Sequence, residues 1–556
     1  MSDYVLDQEN NVYIRPEQKG IGYADGGEKK LLEIVSSAND RSTFSNEFLP
    51  FMTDWPIEYH LSRKRHLILR SLNIRPGDRV LELGCGCGAI TRYLLEIGAK
   101  VTAVEGELTR AAVAAKRCEG FDTIQFIADD FLNLSLPEKY DWVLMIGVLE
   151  YSQKYGKKTD RQGEYLQIAK QHLNSNGTLV IAIENKIGIK YLNGAGEDHN
   201  GICHYGSHDL YDGDDVTTWG KEEIRDILLF NGFSYQHFSG VFPDYKLPKI
   251  ILNEVIESER DFRAEELLHY TRSLDYRGMN QRFFDEPLVT GTLRKNGLLI
   301  HMANSFLITA KISNPIDIDK SILAVYYAVD RKIEYCTETE FILANEGKLV
   351  RKKKLNCAGI ARPVVKCINN GSIFEIKNHH SNDFIAYHKG ELLGQLITKA
   401  FKRRDLEKVG YLIEIWLIYL SEKFSFYDRK TGGKISRKMV KGKKLSNLLI
   451  DGLSFDCGPH NIIMNQRPMA FDLEWVATTP IPLVWQLGRN CQHILRSGYG
   501  DAPPVSLADL VGLSSTYLNV VATTVDLEEF ICLESQFQNI INYAEPSSKI
   551  KITSLN

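Results

Sequence analysis

The run Val80-Leu-Glu-Leu-Gly-Cys-Gly-Cys-Gly88 constrains this chain more than any other stretch. Val80 to Leu83 is mostly apolar and reads as a buried parallel strand. It breaks into glycine at every second position and resumes as a helix from Ile90 to Ile97. A strand that turns through glycines into a helix lets a ligand press on bare backbone, and the helix N-terminus adds oriented N–H groups. Glu82, inside the strand, decides the kind of ligand. A dinucleotide loop spaced GxGxxG cradles a pyrophosphate. Here the spacing is Glu-x-Gly-x-Gly-x-Gly, and a carboxylate beside an anion repels it, so a cationic, amino-acid-like ligand fits better. Taken alone, the loop can also be read as a tight strand–helix turn.

The neighbouring sequence narrows that choice. Strands at 100–104, 123–127, 140–146 and 178–184 alternate with helices at 107–117 and 160–173, the pattern of a parallel sheet covered on both faces. Glu105 ends the second strand about twenty residues beyond the glycines, where a carboxylate can accept both hydroxyls of a ribose. Asp130 and Phe131 follow the third strand and suit the edge and face of an adenine. The fourth strand ends in Ile146-Gly-Val-Leu-Glu-Tyr151, on the carboxyl edge where ligands of open α/β sheets sit.

Residues 75–253 resemble a class I S-adenosylmethionine-dependent methyltransferase. By that resemblance the fold is Rossmann-like, with Glu82, Gly84, Gly86 and Gly88 under the methionine moiety. Glu105 would hold the ribose, Asp130 and Phe131 the adenine, and Gly147 would lie near the sulfonium methyl. The helix 219–230 and strands 234–239 and 249–253 are expected to close the sheet, with a late strand within 301–310, so that residues 1–312 form one domain. Residues 185–218 form a glycine-rich polar insertion, longer than the roughly 12–15 residues of an ordinary loop. With Gly147–Tyr151 and Pro243–Pro248 it resembles the substrate side of methyltransferases from bacterial surface-polysaccharide clusters. Glu150, Glu184 and His199 are the expected bases for the acceptor's proton. A metal set of His199, His204, His208 and Asp209 has irregular spacing and is a weaker reading.

Beyond the polar stretch Asn314–Lys320, taken as the domain boundary, the pattern changes to hairpins and then amphipathic helices. Phe455-Asp-Cys-Gly-Pro-His-Asn461, a hairpin, and Phe471-Asp-Leu-Glu474 place an Asp, an Asn five residues on, and a second Asp as phosphoryl transfer requires. Residues 321–500 resemble the α+β protein-kinase-like fold, nearest the aminoglycoside phosphotransferase and choline kinase branch, in a domain taken as 321–556. Asp456 matches the catalytic base, Asn461 and Asp472 the Mg²⁺ ligands, and Lys352 the lysine that reaches ATP phosphates. The chain departs from that family in two ways. It lacks a glycine-rich phosphate loop, and about thirty residues separate Lys352 from Tyr387, the expected hinge, which leaves little room for a helix carrying the lysine's glutamate partner. An inactive version of the fold stays open.

Methyltransferase then kinase is the order found in bifunctional enzymes that terminate O-antigen chains, so the resemblance implies methylation of a sugar hydroxyl or sugar phosphate, with phosphorylation of the glycan first. A small-molecule O- or N-methyltransferase with a non-catalytic docking domain is the alternative, and a pair of binding modules in a glycan-assembly complex is a third. Sixty-seven basic and 71 acidic residues give a net charge of −4. That balance exerts no pull toward nucleic acid, and no basic stripe with interleaved aromatics borders the sheet edge. The run Arg429–Lys444 holds eight basic residues and no acidic one; it reads by default as a solvated loop, and otherwise suits a glycolipid, a phosphorylated glycan or a peripheral contact with the inner membrane face. Ten scattered cysteines and the acidic, signal-free start MSDYVLDQEN point to reduced thiols in a cytoplasmic protein.

Overall fold

The computed structural model describes residues 3–16, 20–23, 26–276, 282–313, 315, 321–345, 347–355, 362–379, 382–497 and 506–542. One 14-stranded sheet organises it. A short hairpin, β1 (Val5–Asp7) and β2 (Val12–Ile14), starts one edge, and β2 lies parallel to β5 (Ile124–Ala128). Then follow β4 (Lys100–Glu105), β3 (Arg79–Leu83), β6 (Tyr140–Ile146) and β7 (Leu173–Glu184), all parallel. Their apolar runs are buried on both faces: Val80, Leu81, Leu83, Val143, Leu144 and Met145 are fully enclosed. Two apolar layers, one on each face, account for this.

The sheet then reverses. β10 (Ser305–Lys311) is inserted antiparallel between β7 and β8 (Tyr235–Phe242). The two strands expected to close the sheet do pair with each other, β8 with β9 (Ile250–Asn253) on its outer side, but β10 stands between them and β7. Sequence order suggested adjacency because consecutive strands usually pair. Here a distant strand, Phe306 and Ile308 fully buried, fills the gap instead.

A second difference concerns the boundary. Except for Pro315, the stretch 314–320 lies outside the described residues. On its far side β11 (Ile322–Ala328) pairs with β9, Ala324 opposite Leu252, and β12 (Thr337–Ala344), β13 (Gly347–Lys354) and β16 (Phe384–Ala386) extend the same sheet. The parts assigned to 1–312 and 321–556 thus share one hydrogen-bonded sheet. β14 (Val365–Asn369) and β15 (Ser372–Asn378) belong to a separate small sheet. A distinct apolar core around Trp416, Trp475 and Trp485 holds the remainder of the second part together.

The sequence predicts one helix over 55–73 with Arg63, Lys64, Arg65 and Arg70 on its polar face; the structure instead forms two short helices, Trp55–Leu61 and Leu67–Arg70. The break turns the basic residues inward. Arg65 donates to the Lys246 carbonyl at 3.0 Å and lies over the Tyr59 ring, Arg70 pairs with Glu338 at 3.0 Å, and Lys64 with Asp330 at 2.6 Å. Buried guanidinium groups need such partners, and a continuous helix would have pointed them at water.

Candidate functional site

A cavity of about 530 Å³ opens at the carboxyl ends of β3, β4, β5 and β6. Glu82, Gly84, Gly86, Glu105, Asp130, Phe131 and Gly147 all line it, so the residues expected around a methyl donor share one space. Gly84 and Gly147 have φ of +78° and +72°, and a Cβ on either would stand 2.6 Å from Val148 or from the Tyr245 hydroxyl. Only bare backbone fits there. Gly88 is different. It caps the helix Ala89–Glu96 and is not among the lining residues; a Cβ there would meet the Ala114 backbone at 2.9 Å. Its role is helix packing rather than contact with the methionine end.

The three carboxylates are held in distinct ways. Glu82 is buried, accepts from the Thr91 hydroxyl at 2.6 Å, and is pushed up to about 8 by burial. Glu105 accepts the Gly86 N–H at 2.8 Å, and burial raises it despite Arg110 at 3.6 Å. This bond ties the ribose-side carboxylate to the middle of the glycine loop. Asp130 accepts from the Leu132 N–H at 3.0 Å and pairs with Lys157 at 2.7 Å, while Phe131 sits edge-on to Tyr165.

The far end of the cavity is acidic and aromatic. Glu150 follows β6, Glu184 ends β7, and His199 comes from the insertion, and their ligand atoms lie within 4.8 Å of one another. Burial, then the neighbouring Glu184, raises Glu150 well above the ordinary carboxylate range. Burial also acts to raise Glu184, but Lys246 and His199 outweigh it and hold that carboxyl below its usual value. Lys246 pairs with both Glu184 and Asp198, and Lys190 with Asp198 at 3.1 Å and Asp244 at 3.6 Å. Trp55, Tyr59, Tyr245 and Tyr276 form the aromatic wall, with the Trp55 and Tyr276 rings 3.8 Å apart. Of Pro243–Pro248, the segment expected on the substrate side, Tyr245 and Lys246 line the cavity. Trp55, Tyr59 and Tyr276 carried no sequence signal, being single aromatics in ordinary helical and loop contexts. His204 and His208 stack on each other and Asp209 pairs with Lys186, so none of the three joins His199.

The second cluster is also assembled. Lys352, on β13, pairs with Asp472 and Glu474. Asp456 accepts the Glu474 N–H at 3.0 Å, and the Asn461 amide donates to the Asp456 carbonyl at 2.9 Å. Asp472 adopts φ +53°, a left-handed conformation uncommon outside glycine, asparagine and aspartate. Burial pushes Asp456 up to about 6, against the pull of Arg489. Glu474 also takes Arg331 at 2.6 Å, so it bridges Lys352 and Arg331. Tyr387, the expected hinge, packs its ring against Phe262 and accepts the Arg263 N–H at 3.0 Å. Its side chain therefore faces the first part of the chain.

Residues 80–177 match the family model described as a methyltransferase domain. This stretch is a class I, S-adenosylmethionine-dependent methyltransferase domain. The strand order around it, β5-β4-β3-β6-β7-β10-β8 with β10 reversed, agrees. Cyclopropane-fatty-acyl-phospholipid synthase of Escherichia coli K12 is 29% identical over 89 residues, 16% of this chain and 22% of that protein. A probable ribosomal RNA small subunit methyltransferase A of Methanothermobacter thermautotrophicus is 37% identical over 75 residues, 14% of this chain and 27% of that one. The chain thus spans about a quarter of the length of these relatives. Among solved structures, a TehB-like methyltransferase of Corynebacterium glutamicum aligns at TM-score 0.25 with 12% identity, covering 45% of this chain and 88% of that one. Phosphoethanolamine N-methyltransferase 2 of Haemonchus contortus aligns at 0.26 with 18% identity, covering 50% and 60%.

S-adenosylmethionine supplies a methyl group already activated on a sulfonium. The cradle that a Cβ would fill at Gly84 and Gly147 fits it, as does Glu82 beneath a ligand ammonium. The methyltransferase domain then has to orient and desolvate. Glu82 makes this testable. Its folded value near 8 lies above the ordinary carboxylate value, so its stability contribution is present below about pH 4.3 and is lost as pH rises through 8. A donor ammonium lowers that value. Binding at pH 7 is therefore expected to release protons from wild type, and fewer from Glu82→Gln, in titration calorimetry across buffers of different ionisation heat. Equal release from both proteins would remove Glu82 from contact with the ammonium.

Proposed function

We propose that this chain transfers a methyl group from S-adenosylmethionine to a hydroxyl of a sugar during bacterial surface-polysaccharide synthesis, of the O-antigen type. The observation that carries the reading is one cavity that runs from the glycine loop to His199, with Glu150 and Glu184 buried within 4.8 Å of that imidazole. Aromatic faces such as those of Trp55 and Tyr276 suit the apolar faces of a sugar, and the trio suits uptake of a hydroxyl proton. His199, which lines the cavity, is the group nearest the acceptor. Four buried carboxylates face two lysines there, an excess that favours a neutral hydroxyl over the sugar phosphate also considered.

The second cluster supports an ATP- and Mg²⁺-dependent kinase step on the same glycan. Asp456 would orient the attacking hydroxyl, Asn461 and Asp472 would hold Mg²⁺, and Lys352 would move from Asp472 to the phosphates. A glycolipid acceptor at the inner membrane face, with assembly proteins beside it, fits the basic run. Lys430, Lys434, Arg437, Lys438, Lys441 and Lys444 are exposed, whereas Arg429 and Lys443 are paired with Glu529 and Asp428. No helix among the described residues is long and apolar enough to cross a membrane.

The test is a paired assay with labelled methyl donor and labelled ATP on glycan from the same cluster, beside small-molecule acceptors. Both labels are expected in the glycan. Asp456→Asn and Asp472→Ala are each expected to lower phosphoryl transfer at least about 100-fold. Methyl label only in small molecules would replace the glycan reading. Phosphoryl label unchanged by both substitutions would remove the kinase role.

A further inference from the structure

We propose that Glu150, Glu184 and His199 together bind one divalent metal cation, of the Mn²⁺ or Zn²⁺ class, at the acceptor end of the methyltransferase cavity. Three elements far apart in sequence bring these side chains together, and among the described residues this is the one group of three whose ligand atoms lie within 4.8 Å of each other. A cation at about 2.0–2.2 Å from each ligand fits between them with small rotamer adjustments.

The carboxylates themselves point to a missing partner. Both are fully buried, yet Oε2 of Glu150 and Oε2 of Glu184 accept no hydrogen bond. A buried, unsatisfied polar oxygen is costly, and a bound ion is one of the few things that explains it in a native fold. The lysines are committed elsewhere. Lys190 serves Asp198 and Asp244, and Lys246 serves Asp198 and Oε1 of Glu184. Among side chains, Glu150 is left with the Tyr245 hydroxyl at 3.4 Å, beside a bond from its own backbone. With all four carboxylates ionised the cluster carries two negative charges in excess, which one divalent cation offsets. Two oxygens and one imidazole nitrogen suit Mn²⁺ or Zn²⁺ better than a soft metal. Three protein ligands leave positions toward the cavity for hydroxyl oxygens.

This inference rests on reading the cavity as the acceptor end of a methyltransferase, and it changes the part the trio plays. Loaded, the side chains hold a cation against the acceptor oxygen, which makes that hydroxyl more acidic, and its proton passes to solvent as the methyl is transferred rather than to the trio directly.

The test uses full-length protein carrying Asp472→Ala, so that a cation at the second cluster does not count. After chelator treatment, Mn²⁺ is titrated and followed by electron paramagnetic resonance and calorimetry, and S-adenosylhomocysteine is titrated into the same preparation. One Mn²⁺ per chain is expected. It should be lost in Glu150→Gln and in His199→Ala, with melting temperature and S-adenosylhomocysteine binding retained in His199→Ala. Binding of S-adenosylhomocysteine without Mn²⁺, or Mn²⁺ binding untouched by His199→Ala, overturns the cation site and leaves the methyltransferase reading standing. Failure of S-adenosylhomocysteine to bind overturns the reading beneath it.

Discussion

Gly86→Arg is expected to abolish binding of S-adenosylmethionine and S-adenosylhomocysteine, with affinity falling at least about 100-fold, or about 2.7 kcal/mol. Three effects act together. Gly86 has φ +57°, where a side chain costs about 1–2 kcal/mol. Its Cβ position lies 3.1 Å from the Arg110 guanidinium, so a second cation is forced against the first. The long side chain must also enter the cavity that Glu82 and Glu105 border. Calorimetry with S-adenosylhomocysteine reads the loss, and a melting curve shows whether the domain stays folded. Retained affinity in a folded variant would place the donor elsewhere in the chain.

Lys246→Ala should produce the largest loss of stability, about 3–5 kcal/mol, because it leaves buried carboxylates without their counter-ion. Glu184 is fully buried, and Lys246 is its principal compensating charge. Asp198 suffers less, since Lys190 remains at 3.1 Å. Glu184 lies below its ordinary value in wild type, and removing the lysine lets it rise, so the deficit should shrink as the medium is acidified and the carboxyl takes a proton. Denaturant unfolding at pH 7 and at pH 5 measures both the loss and its recovery, and Glu184→Gln in the Lys246→Ala background should restore part of it. A deficit below about 1 kcal/mol would mean that solvent reaches this cluster.

The two parts of the chain are joined more tightly than their separate motifs imply. β9 to β11 is a direct antiparallel pairing, and Arg70–Glu338, Lys64–Asp330 and Lys348–Glu259 add ion pairs across the same junction. Cutting the chain between them would expose one sheet edge on each piece, a recipe for aggregation.

The residues of the candidate donor half could be grouped from the sequence because they are local to successive strand ends, and the structure brings them to one cavity. Glu82 and the glycines share one strand–loop–helix, and Glu105 and Asp130 stand where the next strands end, so strand periodicity alone brings them to one sheet edge. The acceptor half was legible only as residue types. Glu150, Glu184 and His199 could be named as bases, but the lysines that neutralise their neighbours come from Pro243–Pro248 and from the insertion, and spacing says nothing of such pairings. Trp55, Tyr59 and Tyr276 were invisible for the same reason. Lys352, Asp456, Asn461 and Asp472 could be named by resemblance, whereas the ion pairs that Glu474 makes with Lys352 and Arg331 join side chains far apart in sequence, which spacing does not show.

The parallel αβ core, the glycine cradle and the carboxyl beneath it could be read from the sequence, since each depends on contacts within a few tens of residues, whereas the protonation of that carboxyl follows from its burial. Only the tertiary structure decided that Ser305–Lys311 enters the sheet between β7 and β8, that the basic segment at 63–70 turns inward, and that one sheet runs through both halves. Those outcomes rest on which distant apolar strand best fills a gap and which buried charge finds a partner, and such competitions are settled in three dimensions.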